Sequence, residues 1–282
     1  MPSNVSVDLG VKMLKFLAFG MLSALSSTVS AQSPCAQFQG QTLSPLSFEE
    51  ALSKLPDSAP KGEFETTAQY ESRRTSPIGR PGLIVVQKSP EDRAEYIRYD
   101  ADTQQLGVKT YAFDNTSFDA WSAFYSTPHA ATLNASTLGN IDVVISQSEK
   151  LNGTYEGQNA YGAKWTVVRV NRNTQAIYDR ATNSRESMLG GLFPAADKSP
   201  YMVGYLNMPS EAAQQLKPTL KLAFAISPKE PFVVRRTFAG RGKVTIQNPR
   251  DVTETATVLI ADIQCGLVLD GANKVLGAYP TR

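Results

Sequence analysis

Residues 255–269 read TATVLIADIQCGLVL, a run interrupted by a single charge, Asp262. At the two-residue period of a strand, Thr257, Leu259, Ala261, Ile263, Cys265, Leu267 and Leu269 share one face, which is almost wholly apolar. Asp262 falls on the other face among Val258, Ile260 and Val268. Partial burial there would raise its pKa, and the competing reading is an exposed polar residue on a half-solvated face. A thiol is thus aimed into a core late in the chain, and Cys35 is the one other cysteine that can meet it.

Outward from this strand the pattern repeats. FVVRRTF (232–238) and KVTIQN (243–248) read as strands before it, and KVLGAY (274–279) as a return strand across the Asp270-Gly271-Ala272-Asn273 turn. Leu220, Leu222, Phe224 and Ile226 alternate with Lys221, Ala223 and Ala225 as a half-buried strand. Residues 141–170 carry further strands, broken at Asn152-Gly153 and at Gly157 and Gly162. AEYIRYDADTQQLGVKTYAF (94–113) reads as a hairpin around Asp100 to Gln105, and LIVVQ (83–87) as a buried strand. Helical signals are few and short. Ser47-Phe48-Glu49-Glu50 has the capping-box form, with Leu52 and Leu55 at helical spacing and Pro56 at the end. EFETTAQYESRR (63–74) and Ser210 to Lys217 are two more short helices. Runs of strands joined by turns predict an α+β, mainly β fold of antiparallel sheets, with no parallel crossover required.

The beginning of the chain reads as an export signal. Lys12 and Lys15 precede an apolar run, Phe16 to Leu25, far shorter than the ~20 residues of a membrane span. Val29-Ser30-Ala31 supplies small residues for cleavage after Ala31; a buried N-terminal helix is the alternative. The expected organisation is then a signal peptide over 1–31 and a helical segment over 32–81 that packs on the sheet. A β-rich domain follows over 82–282, with the loop-like 182–200 dividing it into two units. Export changes the reading of the cysteines. Ser33-Pro34 before Cys35 does not suit a lipid-modified cysteine, and Gln37 and Gln39 offer nothing that would lower a thiol pKa. In an oxidising compartment a Cys35–Cys265 disulfide is the leading reading, with two free buried thiols as the alternative.

Composition narrows function mainly by exclusion. The formal net charge of +2 makes no electrostatic case for nucleic acid or an anionic membrane, and the basic run Arg235 to Lys243 reads as the solvated face of a strand and its turn. His129 is the sole histidine and follows a proline in a polar loop. Asp100-Ala101-Asp102 lacks the later glycine and glutamate of a calcium loop. Ser58-Ala59-Pro60-Lys61 has the spacing of a serine acyl-enzyme, but Pro60 opposes the helical turn that would join the pair. No phosphate-binding glycine loop is present, so neither a cofactor nor a metal is expected. Asn115, Asn134 and Asn152 begin N-x-[ST] triplets, which matter only in a eukaryotic secretory route. The most unusual segment is YAFDNTSFDAWSAFY (111–125), in which Phe118, Trp121 and Tyr125 can line one side of a helical turn. Aromatic rings with polar handles suit sugar or peptide recognition, and core packing is the ordinary alternative.

KGEFETTAQYESRR (61–74), and more loosely YEGQNAYGAKW (155–165), resemble segments of exported bacterial proteins of unknown function. That resemblance implies a periplasmic or secreted setting and carries no activity. The expectation is a non-catalytic binding or structural protein of the bacterial envelope, whose partner is an envelope protein or a small apolar or glycan ligand, with no membrane span after processing. The alternative is a hydrolase of envelope polymers working through two carboxylates.

Overall fold

A computed structural model describes residues 35–56, 61–75, 82–88, 94–113, 142–183, 192–194, 196, 201–239 and 243–281, all within one compact unit, Gln32–Arg282. Two sheets form the body. The larger runs β1 (Ile84–Lys88), β7 (Lys221–Ala239), β8 (Arg250–Leu269), β5 (Lys164–Asp179) and β4 (Asp142–Gln158), with β9 (Val275–Pro280) also pairing with β8. The smaller one is β2 (Ile97–Asp100), β3 (Gln105–Lys109) and β6 (Met202–Asn207), antiparallel throughout. Helices are short: α1 (Phe48–Ser53), α2 (Thr67–Thr75), α3 (Arg180–Asn183) and α4 (Ser210–Leu216). The fold is therefore mainly β within the α+β class, as the strand-rich pattern predicts.

One pairing departs from the antiparallel expectation. β5 and β8 run parallel from Val168↔Arg250 to Asp179↔Ala261, which makes the large sheet mixed. A parallel pair needs a long return path, and here the intervening chain supplies it by building β6, α4 and β7 before β8 begins. Strands from either side of 182–200 consequently share both sheets.

β8 is the central strand, but its apolar residues do not keep one face. Ala225 pairs with Cys265 while the next residue, Ile226, pairs with Ile263, so Gln264 is the extra residue of a bulge. Because side chains alternate, one inserted residue sends everything beyond it to the opposite side. Leu259, Ala261 and Ile263 enter the main core with Phe224, Ile226 and Ile177, whereas Cys265, Leu267 and Leu269 enter a separate cluster with Phe38 and Val275. The single apolar stripe expected from Thr257 to Leu269 is thereby corrected to two stripes on two faces. Val258 and Ile260 join Tyr178 and Val234 in a third cluster.

The main core lies between the sheets. Leu106, Val108, Val203 and Leu206 of the small sheet and Phe48 and Ala51 of α1 complete it. α1 forms where its cap predicts: the Ser47 side chain accepts from the Glu50 N–H, and the Glu50 carboxylate accepts from the Ser47 N–H at 2.8 Å. On the other side of β8, Cys35 and Cys265 are bonded at 2.05 Å between sulfurs, both buried. The disulfide anchors an N-terminal strap. Gly40 N–H donates to Val275 O, Leu43 N–H to Asn273 O and Leu46 N–H to Val85 O, so the strap covers edges of both β9 and β1 that would otherwise present unpaired backbone groups.

Three local readings are revised. Asn152-Gly153 does not end a strand; β4 runs through it, with a register shift between Leu151 and Thr154 and Gly153 at φ +85°. Glycine tolerates that left-handed backbone without steric cost, so a turn signal becomes a bulge. Gly157 also stays within β4, and the turn comes at Asn159 to Gly162. KVTIQN is not a strand. Thr245 N–H donates to Asn248 O and Asn248 N–H to the Thr245 hydroxyl, each at 3.0 Å, which closes a local turn in place of a ladder. Finally, Leu222 to Ile226 and FVVRRTF are one strand, β7, continuous through an irregularity between Pro228 and Val233 that contains a cis Glu230–Pro231 bond.

Candidate functional site

Of the aromatic segment 111–125 only Tyr111 to Phe113 lies within the described residues, and its two rings part company. Phe113 is fully buried, packed on Phe193 and Phe224. Tyr111 sits 39% exposed in the 3-10 turn that follows β3. Phe118, Trp121 and Tyr125 lie outside the described residues, as do the 1–31 segment, His129 and Ser58.

Tyr111 is not alone. Its ring stacks on Tyr201, with centroids 5.6 Å apart and planes at 25°, and meets Tyr96 at 5.6 Å and 49° on another side. Tyr201 is 50% exposed. The small sheet sets this arrangement. Tyr96 closes the turn before β2, Tyr111 follows β3, Tyr201 precedes β6, and Thr110 N–H donates to Tyr201 O at 2.8 Å. Pairing β2 with β3 and β3 with β6 therefore aligns three rings that are remote in the chain. Offset and tilted aromatic pairs add roughly 0.5–1.5 kcal/mol beyond area burial, so the cluster holds its own shape while Tyr111 and Tyr201 keep part of their surface exposed. Tyr96 and Tyr201 are not legible as partners from sequence, because what joins them is strand order.

The other candidates are engaged elsewhere. Asp100 Oδ1 accepts the N–H groups of Asp102 and Thr103, which holds the hairpin tip and occupies the carboxylate that a cation would need. Among the described residues no group of three metal-ligating side chains converges. Asp262 pairs with Lys229 at 3.2 Å, its side chain 29% exposed, so it is a neutralised carboxylate on a half-open face. Lys61 donates to Thr67 at 2.9 Å. Arg235 is exposed and Arg236 half-buried along β7.

One polar network brings two carboxylates together. Glu149 takes Arg172 at 2.8 Å and also binds Arg250; buried Glu254 lies 3.7 Å from the same Arg172 and accepts from Thr174 at 2.7 Å. The Arg172 hydrogen bond above all, with Arg250 adding to it, holds the Glu149 carboxyl below its ordinary range against the opposing effect of burial. A glycosidase proton donor needs the opposite shift, so Glu149 is poorly suited to that part.

A second buried charge has a structural task. Lys88, at the end of β1, donates to Val144 O on β4 and to Phe113 O. β1 and β4 are the two ends of the ladder, so the sheet curls until its edges approach, and the ammonium bridges the seam.

No protein-family model matches the chain, and neither a curated protein nor a solved structure does so.

Proposed function

We propose that this chain is an exported, non-catalytic binding protein of the bacterial envelope, and that the Tyr96–Tyr111–Tyr201 cluster takes the apolar face of a sugar ring or of a similar small ligand. The observation that carries the reading is the exposed Tyr111–Tyr201 stack, held by backbone hydrogen bonding on a rigid sheet. Rings of this kind offer large contact area at little entropic cost, and their hydroxyls can orient a polar ligand. Export is supported by the Cys35–Cys265 bond, which belongs to oxidising compartments, and by the basic and apolar order of residues 12–31. Among the described residues no helix is long and apolar enough to cross a membrane.

The test is calorimetric titration of the mature chain with soluble envelope oligosaccharides, beside Tyr111→Ala and Tyr201→Ala. Loss of a ring that stacks on a ligand costs about 1–3 kcal/mol, so affinity should fall at least fivefold in each variant while the disulfide and thermal midpoint stay close to the parent. Binding unaffected by either substitution, or turnover of the glycan, would overturn the reading.

A further inference from the structure

The cross-strand register lines up a second surface, independent of the tyrosine cluster. On the half of the large sheet remote from the disulfide, β4, β5, β8 and β7 lie side by side. One row across them is Ser148, Asn173, Thr255 and Thr237; the next is Lys150, Asn171, Thr253 and Ala239. Every residue in these two rows is exposed. A third row, Ser146, Gln175, Thr257 and Arg235, borders α1 through the Gln175–Glu49 hydrogen bond. At ordinary strand and residue spacings the floor measures about 14 Å across the strands and about 13 Å along them.

Its chemistry is unlike a mixed solvated face. Small hydroxyl and amide side chains fill the centre, none standing high, and each can both donate and accept. The Thr237 and Thr255 hydroxyls already share a hydrogen bond of 2.9 Å across the strands. No carboxylate belongs to the three rows. The acids at the border are occupied, Asp251 by Tyr155 at 3.2 Å and Glu49 by Gln175. Lys150 and Arg235 stand at opposite corners on the outer strands, and neither forms an ion pair among the described residues. Just past the second row Arg169 lies 4.8 Å over the Tyr155 ring, and Trp165 keeps a buried indole N–H without a partner.

We propose that this face binds an acidic polysaccharide laid across the four strands. Sugar hydroxyls exchange hydrogen bonds with the Asn and Thr rows, and uronate-type carboxylates meet Lys150 and Arg235. The complementarity is of charge as well as of hydrogen bonding: the face is cationic at two opposite corners and uncharged at its centre, and its acids, Glu49 and Asp251, are confined to the border, each held in a hydrogen bond.

The experiment is native affinity electrophoresis of the mature, disulfide-bonded chain in gels containing polygalacturonate or neutral dextran. Retardation is expected in polygalacturonate only, weakening at 0.3 M salt. Thr255→Glu places a carboxylate mid-floor, and Lys150→Ala with Arg235→Ala removes both corners; each should weaken binding at least fivefold. The second variant changes only exposed side chains, and an unchanged thermal midpoint checks its fold. Absence of retardation, equal retardation in dextran, or full binding by the corner variant would each overturn the proposal. Tyr111→Ala should bind polygalacturonate like the parent, which separates this site from the tyrosine cluster.

Discussion

The two halves of β8 are built to different rules. From Val258 to Leu269 nearly every residue is buried, because the sandwich core covers one side and the disulfide cluster or the Val258–Ile260 cluster the other. From Arg250 to Thr257 the even-numbered side chains Glu254 and Ala256 are buried while Thr253 and Thr255 face solvent. One strand thus serves as a structural spine at one end and an accessible surface at the other. Core burial and solvent exposure are separated along a single element, so each can be perturbed with little effect on the other.

The disulfide offers the strongest challenge to that division. It joins positions 230 residues apart and pins the strap over two sheet edges at the closed end. Replacing both cysteines by serine is expected to cost about 2–5 kcal/mol, measured by denaturant unfolding, and reductant should destabilise the parent but leave the variant unaffected. A midpoint shared by parent and variant would mean that the strap's hydrogen bonds hold the closed end alone.

Substitutions within β8 test the comparison directly. Ile263→Ala empties part of the main core, where Ile263 is 2% exposed, and should cost about 2–5 kcal/mol. Thr255→Val keeps shape and β-branching on the open face and should stay within about 0.5 kcal/mol. Equal losses at the two positions would dissolve the distinction between spine and surface.

How much of this was legible in the sequence follows from the range of each interaction. The Ser47–Glu50 cap and the Asp100 hairpin tip are made by residues within a turn of each other, so their signals survive in the bare chain. The cysteine pair is long-range, yet the chain holds only two candidates. The Gln264 bulge is different. Strict alternation from Thr257 to Leu269 looks like one face, and nothing in those residues marks the position at which β7 accommodates an extra one. The parallel β5–β8 pairing and the tyrosine cluster were hidden for the same reason, since both depend on strand order. The open face did leave a trace: NRNTQ (171–175) and TETAT (253–257) alternate uncharged polar residues with charged or small ones, a pattern that becomes a surface only once the two strands are neighbours.

The pH profile probes the two halves more finely, through Tyr279 at one end and Glu149 at the other. Tyr279 of β9 packs against the closed end, and burial pushes its phenol up to about 12, with its hydroxyl lacking a partner. An unfolded tyrosine ionises near 10, so the folded chain keeps a proton that the unfolded chain releases. Stability is therefore complete below about pH 10 and declines towards pH 12, by roughly 3 kcal/mol at most. Tyr279→Phe should flatten this alkaline limb and leave neutral stability equal or about 1 kcal/mol higher, because it deletes an unsatisfied buried hydroxyl. At the open end the sign reverses. Glu149 is held ionised by Arg172 and Arg250, so its contribution is present above the ordinary carboxylate range and disappears as pH falls through its lowered value. These side chains are partly exposed, which limits that contribution to under about 1 kcal/mol. Glu149→Gln should accordingly remove a small part of the acid limb and none of the alkaline one, as read by urea unfolding from pH 2 to pH 12. An alkaline limb undiminished by Tyr279→Phe would detach that titration from the buried ring, and the closed end would then owe its pH response to some other group.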